Sequence, residues 1–133
     1  MRFSREDIAA FARLSGNDNP LHHDRQAAQR ARHGEIIASG EQITAQMIGL
    51  ASTHFSRPDG DRPRELLCLN FNFAFKAPVF AEQTIELAWR VVSTEPHAAL
   101  GGLLVQIDGK AAVRGAAPAV VARGTLLVKL APR

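Results

Sequence analysis

EIIASGEQITAQMIGLASTHFSRPDGDRPRELLCLNFNFAF, residues 35–75, changes its apolar period partway along, and that change decides the fold class. In the first half Ile43, Met47, Leu50 and Ala51 share one side of a helix, with Ala45, Ile48 and Gly49 close behind and Ser39 or Gly40 at its start. A helix apolar on most sides is predicted to be central and buried. In the second half Leu67, Leu69, Phe71, Phe73 and Phe75 alternate with Cys68, Asn70, Asn72, Ala74 and Lys76 until Pro78 breaks the run. That is the period of a strand with one apolar face. Between the halves, HFSRPDGDRPRE carries Pro, Gly and Asp in turn-forming order and is predicted to be a long loop.

The flanks extend the same division. Ser4 followed by Asp7 reads as an N-cap with an acidic third position, and Ile8, Phe11, Ala12 and Leu14 then form an apolar face ending near Gly16. Asp24 caps a short helix over RQAAQRAR, which stops at His33 and Gly34 and turns Arg25, Arg30 and Arg32 to solvent. Three more strand-like runs are predicted at residues 83–93, 98–107 and 119–130, with Asp108-Gly109 as a tight turn. Helices first and antiparallel strands second make an α+β pattern, a curved sheet wrapping the helix that begins at Gly40.

Composition narrows the function. A chain of 133 residues suits one domain over residues 1–133, so a ligand cleft is expected to need a second subunit. No apolar run approaches the roughly 18 to 20 residues of a membrane span, and MRFSREDIAA has acidic residues where a signal peptide is apolar. A cytoplasmic protein without membrane attachment is predicted. Cys68 is the only cysteine, which excludes an internal disulfide and points to a buried, inert thiol. The net charge of +3 comes from scattered arginines, with no helix-turn-helix, zinc-ligand cluster or stacking platform, which disfavours nucleic acid and suits a phosphate-bearing small ligand.

The densest polar stretch is SGNDNPLHHD, residues 15–24, where amides, carboxylates and imidazoles adjoin a proline-fixed turn held by the capped helix before it. Asn, Asp and Pro are also the ordinary turn formers, and Asp24 has its capping role, so a purely structural reading stays open.

Together, SGNDNPLHHD, IIASG at a helix start and LNFNFAFKAPVFAEQTIEL resemble the MaoC-like hotdog family, which includes (R)-specific enoyl-CoA hydratases, in the same order and over nearly the whole chain. The family's hydratases carry Asp-x-Asn-Pro-x-His, whose carboxylate and imidazole act together, and a His-Gly or Ser-Gly pair opening the central helix. Asn19, Pro20 and His22 match the first motif and Ser39-Gly40 the second. The departure is Asn17, which stands where the family has its catalytic Asp, with Asp18 one place out of register.

Hydrating a trans-2-enoyl thioester needs a base for water, an acid for the α-carbon and donors for the thioester oxygen. The resemblance implies that His22 is the acid/base, since imidazole titrates near pH 6.5. It also implies that Ser39, Gly40 and Asn19 bind substrate, with the Gly40 N–H receiving the oxygen at a helix N-terminus. Asn17 can hydrogen-bond water but cannot take its proton, so either Asp18 or Asp24 works with His22, or His22 acts alone. His23 has no counterpart in the family and is expected at the surface. Phe71, Phe73 and Phe75 line the acyl tunnel or fill the core, and Arg57, Arg62 and Arg64 are candidates for the phosphates of CoA.

The implied activity is interconversion of trans-2-enoyl and (R)-3-hydroxyacyl thioesters of CoA or acyl carrier protein, without cofactor or metal. A homodimer is implied as well, because a lone hotdog leaves a sheet edge and half a tunnel exposed. Two alternatives remain: an acyl-thioester-binding protein that has lost its base at Asn17, and a thioesterase using Glu41 on the central helix. The other role of Glu41 is to stabilise the helix N-terminus.

Overall fold

Cap chemistry sets where each helix begins in the computed structural model, which describes residues 1–131. Helix α1, Arg5–Leu14, starts from Ser4, whose Oγ accepts the Asp7 N–H at 3.0 Å while the Asp7 carboxylate accepts the Ser4 N–H at 2.9 Å. Each group satisfies a donor that the helix leaves orphaned. The Asp7 carboxyl is held below its ordinary range by these Ser4 bonds, the backbone one foremost. Helix α2, Arg25–Arg30, is capped by Asp24, which accepts the N–H groups of Gln26 and Ala27. Helix α3, Gly40–Phe55, is capped by Ser39 through the Gln42 N–H. All three caps are where the sequence places them, and Arg25, Arg30 and Arg32 face solvent as expected. Leu14 does not join the apolar face of α1: it is 84% exposed, because the helix ends there and buries only Ile8 and Ala12.

Strands β1 (Arg64–Phe75), β2 (Ile85–His97), β3 (Gly102–Val113) and β4 (Pro118–Leu130) form one antiparallel sheet in the order β1-β4-β3-β2. This is the expected α+β architecture, with α3 laid against the sheet. One core cluster joins Ile8, Ile43, Met47, Val79, Ile85 and Val120, and a second joins Ala51, Val105, Ile107 and Leu126 with Phe71 and Trp89 against them. The Trp89 indole N–H donates to the Met47 carbonyl at 2.8 Å and ties helix to sheet. Helix α3 is not enclosed on most sides, however. Ile43, Met47 and Ala51 are buried, whereas Ala45, Gly49 and Leu50 are exposed, since this chain's sheet meets one side of the helix only.

Two local readings are corrected. The alternation of β1 is broken by a bulge, because its pairing with β4 slips between Cys68 and Asn70. One extra residue flips the faces of all residues beyond it. Leu66 therefore packs in the same cluster as Phe71, while Leu67 is 56% exposed and Leu69 and Cys68 are exposed too. The Cys68 thiol is thus not buried, although partial shielding from water raises its pKa. Asp108-Gly109 is not a turn but the middle of β3. Gly109 pairs with Trp89, and a Cβ on it would run into the indole ring, so the glycine makes room for an aromatic ring. The hairpin turns lie at residues 98–101 and 114–117, where Gly101 and Gly115 take φ of 70° and 82°.

Residues 56–63 form the expected loop, closed by main-chain hydrogen bonds between Asp59 and Arg62. No helix among the described residues is long and apolar enough to cross a membrane.

Candidate active site

The polar loop after α1 is built by its own side chains. Gly16 takes φ of 71°, a turn that other residues rarely adopt. Asn17 Oδ1 then accepts the Asn19 N–H, and Asn19 Oδ1 accepts the Leu21 N–H, each at 3.1 Å. These successive Asx turns lead into a single 3-10 turn, Pro20–His22. They deliver His22 inward, 5% exposed, with Nδ1 2.7 Å from the Ile37 carbonyl. A carbonyl only accepts, so Nδ1 carries the proton and donates, and Nε2 is the nitrogen left for a ligand. The Ile37 N–H donates back to the Leu21 carbonyl at 3.1 Å, so backbone and imidazole together lock the two segments.

Residues 35–40 are equally well held. Arg5 grips Glu35 through two parallel bonds, Nε at 3.1 Å and Nη2 at 2.7 Å. The Arg5 hydrogen bond, helped by the Ile36 N–H, keeps the Glu35 carboxyl below its usual range. Ala38 donates to the Val79 carbonyl and Ala81 to the Ile36 carbonyl, each at 2.9 Å, which docks the segment beside the chain that follows β1. Ser39 is buried, and its side chain and carbonyl take the N–H groups of Gln42 and Ile43. Among the described residues no acceptor faces the Gly40 N–H. A Cβ on Gly40 would lie 2.8 Å from the Phe75 ring, so the aromatic side chain closes directly over the helix start.

These two segments and the end of β1 enclose a cleft of about 830 Å³ lined by His22, Ile37, Gly40, Glu41, Phe75 and Lys76, among others. A larger hollow of about 960 Å³ covers the opposite face of the sheet, between Arg90, Asp108, Lys110 and Arg123. It holds neither an imidazole nor a helix N-terminus, whereas the smaller cleft holds both.

His22 and Gly40 are brought together there. Ser39 and Asn19 support them as cap and turn residues, and Asn17, which lines the neighbouring hollow, reaches the cleft through its Nδ2–H, which donates to Glu41 Oε2 at 3.1 Å. Asp18 is not brought to His22: its side chain is fully exposed, and its carboxylate lies 3.3 Å from Nε2 of His23 in a separate hollow beside Arg13 and Gly16. Asp24 is engaged with the start of α2. Phe71 and Phe73 stack at 5.8 Å, and of the three phenylalanines Phe73 and Phe75 reach the cleft. Arg62 and Arg64 line a different groove beside Phe55 and Leu103, and Arg62 donates to the Ala131 carbonyl at 2.9 Å. Two contacts escaped the sequence reading. No motif announces that the Ile37 carbonyl orients His22, and the contact of Glu41 with Asn17 spans 24 positions, signalled only by a carboxylate directly after Ser39-Gly40.

Comparison with known proteins agrees with the fold. Residues 1–103 match the family model described as a MaoC like domain. A stretch of 53 residues, 40% of this chain, is 36% identical to the mitochondrial 3-hydroxyacyl-[acyl-carrier-protein] dehydratase of Arabidopsis thaliana, and spans 32% of that protein's length. The solved (R)-hydratase from A. caviae involved in PHA biosynthesis superposes with a TM-score of 0.81 at 23% identity, covering 96% of this chain and 89% of that one. A C-terminally truncated 3R-hydroxyacyl-ACP dehydratase complex from Mycobacterium tuberculosis gives 0.77 at 19% identity, covering 97% and 89%. At such identities the solved structures carry the fold, a hotdog, while the family model carries the membership. With its Asn-Pro-x-His turn and Ser-Gly helix start facing one cleft, the chain belongs to the MaoC-like hydratase and dehydratase family.

Proposed function

We propose that the protein interconverts trans-2-enoyl and (R)-3-hydroxyacyl thioesters carried on CoA or acyl carrier protein. The observation that carries this reading is the fixed orientation of His22. Its Nδ1 is committed to the Ile37 carbonyl, leaving Nε2 for the cleft that also holds the start of α3 at Gly40. In that arrangement the Gly40 N–H receives the thioester oxygen as enolate charge develops, at the positive end of a 16-residue helix. Nε2 of His22 exchanges a proton with the α-carbon. The names of the relatives, an acyl-carrier-protein dehydratase and an (R)-hydratase, support the same pair of directions.

A second copy of the chain completes the cleft in this reading. Edge strand β1 runs 12 residues with one side unpaired, and it exposes Leu67, Leu69 and Phe75. Such an edge is a template for pairing. Leu50 on the open side of α3 adds to the apolar surface available for burial.

The test is the loss of enoyl absorbance with crotonyl-CoA and a longer 2-enoyl-CoA. His22→Ala is expected to lower kcat by about 10² to 10⁴-fold, the range for a positioned acid or base. Unchanged turnover in His22→Ala would overturn the assignment. Asn17 favours one other reading, an acyl-thioester-binding protein without turnover, because an amide cannot take a proton from water. Tight acyl-CoA binding with no loss of enoyl absorbance in the wild type would select it.

A further inference from the structure

We infer that Glu41 is the group that takes the proton from water in this site, and that Asn17 is the residue that positions it. The inference rests on the hydratase reading above and adds the base which that reading lacks. Glu41 is the only carboxylate among the residues lining the cleft with His22 and Gly40. Its Oε2 accepts the Asn17 Nδ2–H at 3.1 Å. The amide cannot be turned the other way, because Asn17 Oδ1 is held by the Asn19 N–H. Position 17 therefore presents a donor to Glu41, and a donor there is useful only if its partner is an acceptor. A carboxylate at position 17 would instead face the Glu41 carboxylate at hydrogen-bond distance, where like charges cannot both ionise freely. Asn17 and Glu41 are thus a matched pair: the amide stands where the family motif has its acid, and the acid has moved across the contact onto the first turn of α3.

The proton balance closes with these groups. Glu41 takes one proton from water as the water oxygen bonds to C3 of the enoyl group. The C2=C3 electrons move to the thioester oxygen at the Gly40 N–H and return as C2 takes a proton from Nε2 of the His22 imidazolium, whose Nδ1–H stays on the Ile37 carbonyl. The proton on Glu41 then passes through water to His22, which restores both groups, and the net change is addition of one water. One oxygen of Glu41 suffices for this, since Asn17 engages only Oε2.

The experiment compares hydration of crotonyl-CoA by the wild type, His22→Ala, Glu41→Gln, Asn17→Asp and the double variant Asn17→Asp/Glu41→Gln, with kcat and KM determined separately and melting curves for each. Glu41→Gln is expected to lose about 10² to 10⁴-fold in kcat and to change KM little. Asn17→Asp alone is expected to fall below the wild type, and the double variant to recover the rate, because the carboxylate has then been moved back across the contact. A purely structural role for either residue does not produce that recovery. An active wild type that His22→Ala silences and Glu41→Gln leaves unchanged would overturn the inference while the hydratase reading stands. An inactive wild type with an active double variant also overturns it, and silence in both removes the hydratase reading and the inference together.

Discussion

At the scale of single residues, the candidate site is held by groups that lie outside the cleft. Glu35 lies five residues before the helix start at Gly40, and its bidentate contact with Arg5 fixes α1 to the segment whose carbonyl orients His22. Its folded pKa lies below the ordinary value of 4.5, so the pairing stabilises the protein above that value and is lost as pH falls through the lowered one. The melting temperature is expected to drop between pH 6 and pH 3, and to drop less in Glu35→Gln, which begins from a lower value at pH 6. Equal pH dependence in the two proteins would show that the pair adds nothing. Residue-level chemistry was the most legible part of the sequence where it is local. Ser4, Asp24 and Ser39 cap helices two or three residues away, and the Asx turns of Asn17 and Asn19 act over two. The Asn17–Glu41 contact was not legible, because it depends on where α1 and α3 meet.

At the scale of elements, β3 and β1 each hold a feature that composition alone does not announce. Asp108-Gly109 has the composition of a turn, yet Gly109 is there because Trp89 crosses it, and Gly124 in β4 serves Phe71 in the same way, with a Cβ that would lie 2.6 Å from the ring. Composition alone does not separate a glycine that bends the chain from one that admits a ring. The bulge at Leu69 was hidden for a related reason, since it exists only in the pairing of β1 with β4. Gly109→Ala should therefore destabilise the fold by about 1 to 3 kcal/mol, as overpacking does. The indole has little freedom to retreat while its N–H is bonded to the Met47 carbonyl. Urea denaturation measures this, and a change below about 0.5 kcal/mol, the range of ordinary surface substitutions, would mean that the ring moves freely.

At the scale of the whole molecule, the sheet has one helix-covered face, an open edge at β1 and an edge at β2 that Met1 pairs at Ile85, and α3 is covered on one side only. The division into helical and strand halves was legible because the period of the sequence changes at the loop. The half-open state of α3 was not, because a helix with apolar residues on several sides looks the same whether one chain or two enclose it. If β1 is where two copies meet, the wild type should sediment at twice the 14.4 kDa chain mass. Leu67→Lys/Leu69→Lys should then sediment as a monomer with reduced turnover. A wild type that stays monomeric at tens of micromolar, or a variant that stays dimeric, would move the contact elsewhere or remove it.

The bond between Trp89 and Met47 also gives the molecule an optical signature. The chain has one tryptophan and no tyrosine, so its near-ultraviolet emission arises almost wholly from the place where α3 is fastened to the sheet. Colour and intensity of that light follow the seating of this helix as well as the packing of Phe71 and Gly109 around the ring, and the same helix carries Gly40 and Glu41 at its start. Movement at the mouth of the cleft that shifts the helix is therefore visible without a label, in the protein as nature made it.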